Sequence, residues 1–334
     1  MKCIIPMLLK LKEMIYKHKL VIANMYRAKN KTAFFAIHQA ITKLSEFDIE
    51  FHIIWDNIEY KDEWTEKIDN LDCKIVSYNK EMLNDYCLDY GISKEQISKF
   101  SKFAAIYFII HAHYLKKNNI TDYYLIYDDD IILTDELSEF KNCLKNKIPC
   151  LIHEPLNSNC DKVLANKLFN LYGGQEALNY YKALNPQLLG FNAGIQGISL
   201  DMYDDFLEPE YFKFLIELFD YRGIYDENGV EIWGPERSLI DTQQQSFFGI
   251  MNIIRSKRKP HILTLNEYFV SPNWGHHPIF GEIDHANEYN GWDINMKSKI
   301  IHFIGHTSYA GEHWGKPKIF NDMVDIYLKE NNLL

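Results

Sequence analysis

Tyr123-Tyr124-Leu125-Ile126-Tyr127-Asp128-Asp129-Asp130-Ile131-Ile132-Leu133 decides how the rest of the chain is read. An apolar run of strand length meets three consecutive carboxylates and then resumes as Ile-Ile-Leu. Like charges crowded into a half-buried place repel one another, at a cost in stability. A divalent cation removes that cost. In an extended segment alternate side chains share a face, so Asp128 and Asp130 point together and Asp129 points away. Hard oxygen ligands suit Mn2+ or Mg2+, which also bind diphosphate oxygens. The alternative is a solvated acidic turn, but an exposed turn seldom sits between two strand-like runs.

Working outward, the first half alternates strand and helix signals. Leu20-Val21-Ile22-Ala23-Asn24 reads as a first strand, and Thr32 to Leu44 as a helix with Phe35, Ile37, Ile41 and Leu44 on its buried face. Phe51 to Asp56 reads as a second strand ending in a carboxylate, Lys74 to Tyr78 as a third, and Lys94 to Lys117 as one long helix stopped by Asn118-Asn119. Strands alternating with helices imply an α/β fold with a mostly parallel sheet. Ligands bind such sheets at the carboxyl ends of the strands, and the Asp triplet falls at one of these ends. The second half is less regular. Gly190 to Ile195 gives a strand-turn signal, Asp241 to Gln245 a Gln-rich helix start, and Tyr268 to Asp293 a polar, aromatic, His-rich stretch.

With 334 residues and a formal net charge of −10, the chain can bury a large core and lacks the basic excess of a nucleic-acid binder. The acidity also means that an anionic substrate needs a local cation. The six cysteines show no CxxC pairing, so free thiols in a reducing, cytoplasmic setting are expected. No apolar run is long enough to span a membrane. Residues 1–19 are expected to form a helix or extension packed on the domain, with peripheral membrane contact through a basic amphipathic helix as the alternative. The histidines His276, His277, His285, His306 and His313 fit no helical or hairpin zinc spacing.

Leu125-Ile126-Tyr127-Asp128-Asp129-Asp130-Ile131 resembles the DxD segment of GT-A-fold glycosyltransferases, above all the "LYLDADIL" pattern of glycosyltransferase family 8, the glycogenin and galactosyltransferase relatives. Phe191-Asn192-Ala193-Gly194 is similar to that family's "FNAG" segment, Asp241 to Gln245 falls where it carries "DQD", and His302-Phe303-Ile304-Gly305 followed by Lys316-Pro317 resembles its closing "HFxG…KPW" motif. The four motifs occur in the family's order, from Asp128 to Pro317.

The resemblance implies a Rossmann-like GT-A fold with a mostly parallel central sheet flanked by helices, over residues 20–334. Residues 20–135 would form the nucleotide-binding half and 136–334 the acceptor-side half. It implies Asp128, Asp130 and His302 as ligands of Mn2+ (or Mg2+), and donor contacts from Ala23, Asn24, Asp56, Lys102, Asp129, Asn192, Gly194 and Lys316. The partners would be a UDP-sugar donor and a glycan, lipid or protein acceptor, with no nucleic acid. Gln243-Gln244-Gln245 replaces acidic positions of the "DQD" segment, and Lys318 stands where Trp is usual. With Gln244 beside the anomeric carbon, a retaining transfer of a hexose is expected, in which the leaving phosphate deprotonates the acceptor. An inverting enzyme with Glu236 or Asp241 as base is a rival. A metal-dependent phosphohydrolase and a non-catalytic sugar-nucleotide-binding protein are rivals of other classes.

Overall fold

The structure is a computed structural model. It describes residues 17–100, 104–133, 137–154, 164–170, 174–184, 190–192, 194–203, 222–225, 231–256, 258–263, 268–271, 276–277, 281–282, 299–303 and 318–334. Its first strand, β1 (His18–Tyr26), carries the run Leu20 to Ala23, with side chains alternating between two separate cores. Val21 and Ala23 enter one core, Leu20 and Ile22 the other. A strand buried on both faces is what a central position in an α/β sheet demands.

Strands β2 (Phe47–Trp55), β3 (Lys74–Tyr78) and β4 (Tyr123–Tyr127) join β1 in parallel, giving the order β4-β1-β2-β3. After the Asp triplet comes β5 (Ile131–Leu133), then β6 (Cys150–Glu154), β7 (Gly190–Phe191) and β8 (Ile195–Ser199). Antiparallel β8 lies between β4 and β6. Among the described residues, two further strands, β9 (Arg222–Tyr225) and β10 (Glu231–Ser238), pair with each other, and β11 (His261–Leu263) closes the main sheet in parallel beside β6. A smaller sheet joins β12 (Tyr268–Ser271), β5 and the last strand. The pair β13 (His276–His277) and β14 (Gly281–Glu282) stands apart, and β15 (Ile300–Phe303) is that last strand.

Helices cover both faces. Against Leu20 and Ile22 pack α1 (Lys31–Lys43), α2 (Glu63–Asp69) and residues Phe320, Val324 and Leu328 of the C-terminal helix (Lys318–Glu330). The other face carries α3 (Lys80–Asp89), the segment α4 (Lys94–Phe100) followed by α5 (Ala104–Lys117), and Phe247 to Ile253 of the long helix Leu239–Arg255. The fold is therefore α/β, with a mostly parallel central sheet flanked by helices, as the strand-helix alternation implied.

Several boundaries move. β1 begins at His18 and runs to Tyr26, so it takes in the last two residues of the expected extension 1–19; residues 1–16 lie outside the described residues. β2 starts four residues early at Phe47. The expected long helix is described as two stretches, Lys94–Phe100 and Ala104–Lys117. No helix among the described residues is long and apolar enough to cross a membrane. Cys73, Cys87, Cys143 and Cys150 are free thiols.

Candidate functional site

Strand β4 is buried at every position, because Tyr123, Leu125 and Tyr127 fill one core and Tyr124 and Ile126 the other. Its carboxyl end delivers the chain to Asp128. There the backbone leaves the extended conformation and turns through Asp129 and Asp130 before β5. The side chains of Asp128 and Asp130 converge as expected, but through a turn and not through strand alternation. Asp128 N–H donates to Gly194 C=O at 2.7 Å, which fixes the turn to the start of β8.

The third member arrives from far along the chain. β15 pairs antiparallel with β5 in a register that sets His302 opposite Ile131, the residue after Asp130. His302 Nε2 lies 3.0 Å from Asp130 Oδ1 and 3.8 Å from Asp128 Oδ2. One ligand atom from each of the three residues falls within 4.8 Å of the others, the spacing of a set that can share one metal ion. Asp130 and His302 are buried, and Asp128 keeps 35% of its side-chain surface exposed. Two carboxylates and an imidazole suit a divalent cation, and the nitrogen ligand favours Mn2+ over Mg2+.

The electrostatics fit that donor set. Burial pushes the Asp128 carboxyl up to about 7, and the negative charges of Asp130 and Asp129 push the same way. His302 and the amide of Asn24 pull it down. To that burial is added the like-charge crowding of Asp130 and Asp129. A cation between Asp128 and Asp130 relieves it.

Other residues hold this arrangement in place. Asn24, fully buried in β1, donates Nδ2–H to Asp128 Oδ1 at 2.5 Å. The Thr32 hydroxyl in the first turn of α1 lies 2.9 Å from Asp129 Oδ2, which draws the middle carboxylate away from the other two. Asn30 caps the same helix, its side chain accepting from Ala33 N–H at 3.0 Å. Gln39, buried on the core-facing side of α1, donates to Tyr127 Oη at 2.6 Å and to Ile131 C=O at 2.9 Å, and accepts from Leu133 N–H at 2.8 Å. The Tyr26 hydroxyl donates to Tyr127 C=O at 2.8 Å. Sequence reasoning missed Thr32, Gln39 and Tyr26. The one available signal was Gln39 itself, an amide set among Phe35, Ala36, Ile37 and Ala40 on a buried face.

The remaining expected residues are placed as follows. Ala23 packs into the core beside Asn24. Asp56 follows β2 and holds Lys80 Nζ at 2.5 Å, while that ammonium also lies 5.4 Å from the Tyr107 ring centre. Asn192 is fully buried, with its side chain turned to Gly194 and His302. Gly194 lies against the His302 ring. Asp241 and Gln244 fall in the first turns of the helix Leu239–Arg255 and Glu236 in β10, their side chains outside the described residues. Lys102 and Lys316 also lie outside the described residues.

No protein-family model matches this chain, and no curated protein matches it. Among solved structures it is similar to the bifunctional glycosyltransferase WbbM in its apo form, at 13% identity over 92% of this chain and 49% of that one, with a TM-score of 0.47. It thus spans about half the length of WbbM. It is also similar to the galactosyltransferase LgtC in complex with donor and acceptor sugar analogues (13% identity, 92% of this chain, 95% of that one, TM-score 0.43). The glycosyltransferase GlyE of Streptococcus pneumoniae matches at 12% identity over 95% of this chain and 64% of its own, with a TM-score of 0.37.

Proposed function

We propose that this chain is a metal-dependent glycosyltransferase of the GT-A fold that takes a sugar from a nucleotide-sugar donor, a UDP-hexose, and transfers it to a glycan or other acceptor. The observation that carries the reading is the convergence of Asp128, Asp130 and His302 at the carboxyl end of β4. Residues 174 positions apart meet there, and they are the same three that the order of four motifs singled out.

Asp128, Asp130 and His302 would hold Mn2+ or Mg2+. When bound, the cation would neutralise the donor's diphosphate and the charge that develops on it as the sugar departs. The chain's own contribution is orientation. Asn24 fixes Asp128, Thr32 fixes Asp129, and Gln39 ties the strand before the triplet to the strand after it. The nucleoside would lie over the carboxyl ends of β1 and β2, near Asp56 and Lys80, with Lys102 and Lys316 as further contacts to the phosphates. Asn192 and Gly194 would line the sugar side. Gln244 would stand by the anomeric carbon without acting as a base, which favours retention. In that mechanism the leaving phosphate takes the acceptor proton. Glu236 and Asp241 would be spectators.

Calorimetric titration of UDP into the purified protein tests the reading, with Mn2+, with EDTA, and with the Asp130→Ala variant. Binding is expected with Mn2+ and lost in both other arms. Equal UDP affinity under EDTA would remove the metal role of the triplet, and no binding in any arm would remove the donor assignment.

A further inference from the structure

The segment between β7 and β8 does more than place a turn. Asn192 N–H donates to Ile152 C=O at 2.8 Å, and the Gln196 side-chain amide donates to Asn192 C=O, so its backbone is held from both sides. Its side-chain oxygen lies 2.9 Å from Gly194 N–H and 2.9 Å from His302 Nδ1. A backbone N–H can only donate, so the atom facing Gly194 is the amide oxygen. That same oxygen can serve His302 only as an acceptor. Nδ1 must therefore carry a proton, and in a neutral imidazole Nε2 is then left with its lone pair. This lone pair points to the side of the ring where Asp130 and Asp128 lie.

We infer that Asn192 is a positioning residue for His302. It locks the imidazole as the Nδ1–H tautomer and so keeps Nε2 available to a divalent cation. The inference rests on the reading of Asp128, Asp130 and His302 as a metal centre. The competing tautomer carries its proton on Nε2, 3.0 Å from Asp130 Oδ1, where it would stand in the place of the cation. A hydrogen bond to the far nitrogen of a metal-binding histidine fixes its orientation, and losing such a bond weakens metal binding about 10–100-fold. Asn192 thus acts on the donor through His302.

The test uses Mn2+ alone with the full chain. Free Mn2+ is followed by electron paramagnetic resonance, and spin-echo modulation from 15N-histidine-labelled protein reports whether an imidazole nitrogen is bound. Asn192→Leu removes the acceptor at similar volume, and Asn192→Asp keeps an oxygen for both Gly194 N–H and Nδ1–H. The expected result is a roughly 10–100-fold loss of Mn2+ affinity with weakened histidine modulation in Asn192→Leu, and recovery of both in Asn192→Asp. Asn192→Leu binding Mn2+ as tightly as the parent, with unchanged modulation, would overturn the inference. So would Asn192→Asp binding as weakly as Asn192→Leu while melting like the parent, since that makes the amide's role one of packing only. A parent protein that binds no Mn2+ would instead strike the metal centre itself.

Discussion

Gly194 shows how little room the histidine has. A Cβ at this position would come within 2.3 Å of His302 Cε1 and 2.6 Å of Nδ1, closer than real atoms approach. The obstacle is the tip of a side chain and not a backbone, so the chain can yield by rotating the imidazole away. Rotation breaks the bond to Asn192 and turns Nε2 off the two carboxylates. Gly194→Ala is therefore expected to cost little stability, about 1–3 kcal/mol in urea titration, and to weaken Mn2+ binding by at least about tenfold. A variant that melts near the parent and retains full Mn2+ affinity would show that the ring has another place to go. The set Asp128, Asp130 and His302 was legible as a candidate metal site because carboxylates and an imidazole are residue types that can share a cation. Asn192 was legible as a position, but its bond to His302 was not, because a linear motif does not show which side chains are folded against each other.

The elements explain why the turn at Asp128 is held so firmly. The helix α1 has a buried face of Ala33, Phe34, Phe35, Ala36, Ile37 and Ala40, and places Gln39 among them. Its amide meets a hydroxyl of β4, a carbonyl of β5 and an N–H of β5, bridging the triplet from one side. Gln39→Leu keeps the packing and leaves those groups without this partner. Each buried polar group so abandoned costs about 1–3 kcal/mol, and partial relaxation makes about 2–4 kcal/mol the expected loss in urea unfolding. A loss under 1 kcal/mol would mean that water reaches the strands and replaces the amide. The strand-helix alternation was readable because β1 to β4 and α1 carry their periods in short stretches of sequence. The β15–β5 pairing was not. It joins strands whose first residues, Ile131 and Ile300, lie 169 positions apart, with Ile131 set against His302, and nothing local in either sequence encodes that register.

At the scale of the molecule, the core that Val21 and Ala23 enter lies against titratable groups outside the candidate metal site. His52 in β2 is bonded through Nδ1 to the Tyr78 hydroxyl and through Nε2 to Glu50, both at 2.8 Å, and Glu50 is also held by Lys19 and Lys74. These partners hold the Glu50 carboxyl at about 2. On α5, His111 packs against the Tyr78 ring and His113 bonds the Tyr86 hydroxyl at 2.8 Å. Burial drives the imidazole of His111 down to about 3 and that of His113 to about 4, from an ordinary 6.5. A folded pKa below the unfolded one means that the unfolded chain binds more protons between the two values, so stability rises with pH across that window. The contribution is whole above about pH 6.5 and is lost as pH falls toward 3. At pH 5, His111 alone accounts for about 2 kcal/mol of lost stability. Asp128 works in the opposite sense: its carboxyl is raised to about 7 and takes up a proton in the folded state as the solution turns acid. A single titration of the parent sums both, so the informative quantity is the difference between parent and His111→Leu, in which Asp128 cancels. Urea unfolding of both at pH 7.5 and pH 5 is expected to show the parent losing about 2 kcal/mol more than the variant over that interval. Equal losses would mean that His111 accepts its proton inside the fold, and that the core between β2, β3 and α5 admits water.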